Sequence, residues 1–126
     1  MPNGKRKNFW RHQFPVIMWA VFIFVLSSLP GSLISVSTPL PLDKAFHAVI
    51  FFIFCFLLNR ALLSQSRAPV LSRYRLFVSF LIVVAYGISD ELHQTIVPGR
   101  SPDLSDALAD AVGGLACTVY LILHNK

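Results

Sequence analysis

Residues 45–58 read AFHAVIFFIFCFLL. Wound into a helix, this stretch carries one polar side chain, His47, and so has no polar stripe to offer water. A helix of a soluble bundle needs such a stripe. Extended to residues 45–63, the segment is close to the ~17–25 residues that cross a hydrocarbon core. Residues 10–29, 76–92 and 104–123 form three more apolar stretches of similar length. The composition agrees, with 55% hydrophobic residues, 13% charged residues and a mean hydropathy of +0.63. These values lie outside the usual range for soluble domains. The chain reads as an all-α membrane protein: four transmembrane helices in a compact bundle, one domain over residues 1–126.

The basic residues set an expected orientation. Lys5, Arg6, Lys7 and Arg11 precede the first span, Arg60, Arg67, Arg73 and Arg75 surround the second connection, and Lys126 ends the chain. Only Lys44 and Arg100 fall on the other side. Short loops rich in Lys and Arg stay cytoplasmic, which predicts N-in/C-in. The net charge of +5 is then a topology signal rather than a nucleic-acid footprint, and no nucleic-acid partner is expected. The apolar stretch after the basic arm is long for a signal peptide, and SSLPGSLIS is a poor cleavage site, so an uncleaved first span is expected. Cys55 and Cys117 read as small packing residues inside spans.

Against this apolar background the acids are gathered tightly. Five of the six carboxylates, Asp90, Glu91, Asp103, Asp106 and Asp110, lie in residues 89–110, and the sixth, Asp43, opens the second span. The orientation above puts all six at the outer ends of spans two, three and four. Asp103, Asp106 and Asp110 are spaced i, i+3, i+7 and share one helix face, while Asp43 and His47 share another at i, i+4. Asp110, two turns inside an apolar run, costs a few kcal/mol (order of magnitude) unless it faces protein or water. Asp90 and Glu91 have the wrong sign for the C-terminal end of their own helix, so a cation is expected nearby, with Arg100 the first choice.

Local signals complete the frame. Val97-Pro98-Gly99-Arg100 predicts a tight type II turn, making spans three and four a hairpin. Ser101 is expected as N-cap of span four, with Pro102 at the first helical position and Asp103 in the first turn. Asp43 is expected to cap span two, Pro39 and Pro41 to oppose helix before it, and Pro15 to sit in the first turns of span one.

The motifs Asp43-Lys44-x-x-His47, Ser89-Asp90-Glu91-x-His93-Gln94, Pro98-Gly99-Arg100 and Asp106-x-x-x-Asp110-x-x-Gly113 together resemble the VanZ-like family of small bacterial membrane proteins. The resemblance covers roughly residues 28–121. It implies a four-span protein of the bacterial cytoplasmic membrane, in a family whose founding member is associated with resistance to the glycopeptide teicoplanin. It carries no reaction with it. Ser101-Pro102, before the acid run, departs from the family pattern and stiffens that turn.

Three functional classes fit these residues. The first is a cell-envelope factor recognising a lipid headgroup or lipid-linked wall precursor, with Lys44 and Arg100 on phosphate or carboxylate and Asp43, Asp90 and Gln94 completing the binding set. The second is an enzyme on the same substrate. His47 or His93 would be its base and Glu91, Asp106 or Asp110 its acid or orienting group. No cofactor is required by either, although His47, Glu91, His93 and Asp110 could together hold a divalent metal. The third is a small transporter, whose ionisable groups belong near the bilayer midplane. Helix caps and structural ion pairs are the plain alternative for each acid. The sharpest expectation is that His47, Glu91, His93, Asp106 and Asp110 converge on one outward-facing pocket.

Overall fold

The computed structural model describes residues 2–34 and 40–125. Residues 35–39 lie outside them, including Pro39, as do Met1 and Lys126. The helices are α1 (Pro2–Asn8), α2 (Phe14–Ser28), α3 (Gly31–Ile34), α4 (Leu40–Leu63), α5 (Pro69–Arg73), α6 (Arg75–Gln94) and α7 (Leu104–His124). Among the described residues there is no strand. Four helices are long and apolar enough to cross a membrane: Asn3–Ser28, Leu42–Leu63, Arg75–Gln94 and Leu104–His124.

The exterior is as apolar as the interior. Phe24, Phe46, Phe77, Leu92, Val112 and Ile122 are all exposed. What is buried is a narrow stripe on each span. On α6 it is Ser79, Val83, Gly87, Asp90, Glu91 and Gln94, and on α7 it is Asp110, Gly113, Gly114, Cys117 and Leu121. These helices hide polar and small groups and show hydrocarbon outward, as a bilayer demands.

The core is the packing of α4, α6 and α7 around Phe51, Phe54, Cys55, Val83 and Cys117. Gly113 makes it possible. A Cβ there would stand 2.1 Å from the Ala48 carbonyl oxygen, so only glycine lets α7 approach α4 this closely. The neighbouring Gly114 faces α6 instead, against Val83. Cys55 donates to the Gly114 carbonyl at 3.7 Å, and both cysteines are buried free thiols.

The first span leans on this trio. Only 6% of its most apolar window is buried, against 28–33% for the other three, so polar anchors must hold it. Trp19 donates to the Ile50 carbonyl at 3.0 Å and Tyr86 to the Ala20 carbonyl at 2.6 Å. Pro15 sits in the first turn of α2, as the sequence suggested, although helical structure already runs from Pro2 up to it. A π-helical turn at Phe9–Gln13 precedes it, with the Phe14 N–H bonded to the Phe9 carbonyl. The wider turn accommodates a ring that would otherwise crowd the preceding carbonyl.

Two local expectations change. α4 begins at Leu40, running through Pro41, so Asp43 lies in its first turn rather than at its cap. The favourable dipole contact is the same. The Val97–Arg100 turn forms as expected, with the Arg100 N–H on the Val97 carbonyl at 3.2 Å and Gly99 at φ 73°. Its Pro98 carbonyl accepts the Gly31 N–H at 3.0 Å, which brings the first and third connections together.

Candidate functional site

The N-terminal ends of α4 and α7 lie side by side, and their charged residues face each other as rungs. Lys44 is the upper rung. Its ammonium bonds Asp106, lies 3.2 Å from Asp103 Oδ2, and lies 3.6 Å from Asp43 Oδ2. One turn deeper, His47 Nδ1 is 2.9 Å from Asp110 Oδ1, and His47 Nε2 is 3.8 Å from Asp106 Oδ1. Asp110 has no solvent exposure, and its Oδ2 has no hydrogen-bond partner among the described residues. The i, i+3, i+7 spacing on α7 and the i, i+4 spacing on α4 place these groups at matching heights.

The start of α7 differs from expectation. Asp103, not Ser101, is the N-cap: it is extended, and its Oδ1 accepts the Ser105 N–H at 2.9 Å and hydroxyl at 2.7 Å. Asp caps at least as well as Ser, and here it also meets Lys44. The Ser105 bonds first, then Lys44, hold the Asp103 carboxyl down at about 2.

Of the two acids the sequence offered to Arg100, Asp90 shares a cavity with it without a direct ion pair, and Glu91 is not its partner. Glu91 Oε2 accepts the Asp103 backbone N–H at 2.8 Å, so the positive pole it needs is the N-terminus of α7. Arg100 instead donates from Nε to the Leu29 carbonyl at 3.1 Å and from Nη2 to the Leu26 carbonyl at 3.0 Å. It closes the C-terminal end of α2, where carbonyls lack helical partners. No carboxylate lies within 4.0 Å of Arg100 among the described residues.

Beside the rungs, between α2, α4 and α6, is a cavity of about 390 Å³. Its polar lining is Ser27, Asp43, His47, Asp90, Gln94 and Arg100. The rest of its wall is Ile23, Leu26, Phe46, Ile50 and Phe51. A more open depression of about 550 Å³ at the opposite end of the first span has a basic rim of Arg6, Lys7 and Arg11 and no acid.

The VanZ/LLP1 family model matches residues 7–124. The chain belongs to the VanZ/LLP1 family. No curated protein and no solved structure matches it. In this VanZ/LLP1 chain the residues singled out from sequence fall into two groups. His47, Asp106 and Asp110 come together with Lys44 and Asp43, and His47, Asp43 and Asp90 line the cavity. His93 does not join them. It shares a 2.9 Å hydrogen bond with the Ser28 hydroxyl and stacks on Phe24 at 4.8 Å between ring centres. Gln94 donates to Ser27 at 3.4 Å, so both residues fasten the end of the first span while Gln94 also lines the cavity.

The four residues proposed from sequence as metal ligands, His47, Glu91, His93 and Asp110, are therefore not assembled. Asp43, His47 and Asp106 do bring ligand atoms within 4.8 Å of one another. Lys44 already places its ammonium on two of those carboxylates, so a divalent ion there would have to displace it. Sequence reasoning overlooked Ser27 and the apolar wall from Ile23 to Phe51. The first span shows no acid or histidine near its end, so only its packing reveals that it forms a side of the site.

Proposed function

We propose that this VanZ/LLP1 protein is a cell-envelope factor of the bacterial cytoplasmic membrane, N-in/C-in, whose acidic end recognises a lipid headgroup or lipid-linked wall precursor at the outer leaflet. The observation that carries this reading is the mixed polar and apolar lining of the cavity. Charged, hydroxyl and amide groups share the wall with aliphatic and phenyl groups, which suits a molecule with a polar head and a hydrocarbon body. Family membership fits an envelope role of the kind linked to glycopeptide resistance. Arg100 keeps donors beyond the two on backbone carbonyls, since a guanidinium has five, and these are available to a phosphate or carboxylate. Lys44 is the weaker binder of the two, being surrounded by three carboxylates.

Mass spectrometry of lipids co-purifying with the protein tests the reading. The wild type is expected to retain a discrete lipid species, and Ser27→Phe, which fills the cavity, to lose it. Identical lipid profiles from the two proteins would contradict it.

The His47–Asp110 pair favours a second reading, acid–base catalysis on the same ligand. A buried carboxylate holds Nδ1, which fixes the ring and leaves Nε2 as the working atom of a cavity-lining imidazole. His47→Gln should then abolish turnover of the bound lipid while retaining its binding.

A further inference from the structure

Asp90 is the unusual member of the cavity. It stands near the C-terminal end of α6, where the helix dipole already concentrates negative charge. Its exposure is 7%, yet no cation lies within 4.0 Å of it among the described residues. Its neighbouring donor is the neutral hydroxyl of Ser27, and His47, His93 and Arg100 act on it only from beyond that distance. Glu91, next to it in sequence, is answered by the start of α7, and Asp43, Asp103 and Asp106 are answered by Lys44. Arg100 lines the same cavity but spends two donors on the end of α2. A buried carboxylate lacking a close counter-charge, opening on a cavity, is the place where a ligand would bring the cation.

We infer that the cavity takes a membrane lipid with a primary ammonium headgroup, and that Asp90 receives the ammonium. This inference rests on the lipid-binding reading above and narrows its ligand. A bare metal ion fits poorly, because about 390 Å³ is far larger than an ion and much of the wall offers no ligand atom. An alkylammonium uses both kinds of lining: charge and hydrogen bonds at Asp90, and hydrocarbon against Ile23, Ile50 and Phe51. A phosphate one linker away from the ammonium would find the remaining donors of Arg100. Phe46, 56% exposed and also part of the wall, puts an apolar mouth on the outside of the bundle, where a lipid enters sideways.

Native mass spectrometry of the full-length protein tests this with four probes: phosphatidylethanolamine, its N-acetyl derivative, phosphatidylglycerol with matched chains, and soluble O-phosphoethanolamine. Phosphatidylethanolamine is expected to be retained about tenfold or more above the other three, since a buried charge pair loses its attraction when one charge is removed. Asp90→Asn is expected to erase that preference. If the N-acetyl lipid and phosphatidylglycerol bind as well as phosphatidylethanolamine, the ammonium assignment falls and the lipid pocket stands. If no lipid is retained, both fall. Soluble headgroup binding as tight as the lipid would overturn the membrane source, and an unchanged preference in Asp90→Asn would overturn the role of Asp90. The wild-type comparison decides the ammonium question even if the variant does not fold.

Discussion

His47 Nδ1 lies 2.9 Å from Asp110 Oδ1, and that contact ties α4 to α7 inside the bundle. Asp110 is wholly buried and has no other hydrogen bond among the described residues. Removing the imidazole alone leaves a buried carboxylate without its partner. His47→Leu is therefore expected to destabilise by about 3–5 kcal/mol, and the double variant with Asp110→Leu by less than the two single changes together. Reversible unfolding in mixed detergent measures both. A sum equal to the separate effects would show that the pair is not coupled.

Gly113→Ala places a Cβ 2.1 Å from the Ala48 carbonyl oxygen, an atom that can move only with the α4 backbone. A loss of about 1–3 kcal/mol is expected, typical of overpacking. Gly114→Ala meets a Val83 methyl at 2.8 Å, a longer contact with side chain rather than backbone, so its cost should be smaller. Thermal unfolding of the two variants, compared directly, checks the order.

How much of this was legible in the sequence follows from where each partner resides. The spans were readable because hydrocarbon length is a property of the chain alone, and the His47–Asp106–Asp110 grouping because helical spacing fixes a face. Arg100 was misread because its partners are the carbonyls of Leu26 and Leu29, and Glu91 because its partner is the Asp103 N–H. Helix ends carry charge that no side-chain inventory displays. His93 turned away for a related reason: Ser28 and Phe24 belong to a span whose end shows no acid.

The role of Arg100 has its own test. Since Arg100 serves the end of α2, Arg100→Ala should destabilise the protein whether or not Glu91 is also changed to Gln. The coupling in that double-mutant cycle is expected to stay within about 0.5 kcal/mol. A larger coupling would restore the discarded ion pair.

Asp103 gives the acid limb a defined sign. Its carboxyl sits at about 2 in the folded protein, below its ordinary value of 3.8. A depressed folded value means stability that is present above pH 3.8 and is lost as pH falls through about 2. Asp103→Asn should flatten the pH dependence in that window and leave neutral-pH behaviour largely as it was. A parallel, merely shifted pH curve would contradict the assignment.

Orientation is tested by cysteine labelling. With N-in/C-in topology, Ser101→Cys in the exposed turn before α7 should react with an impermeant maleimide added to intact cells, and Arg67→Cys should react only after permeabilisation. The reverse pattern would put the acidic end inside.

Site-specific photo-crosslinking reads whether the cavity between the first three spans holds a lipid. A benzophenone amino acid at Ile50, inside the cavity, is compared with one at Phe77, exposed on the outside of α6. Ile50 is expected to yield a single predominant lipid adduct that Ser27→Phe suppresses, while Phe77 reports bulk membrane composition. Bulk composition at both positions, or no lipid adduct at Ile50, would contradict the account.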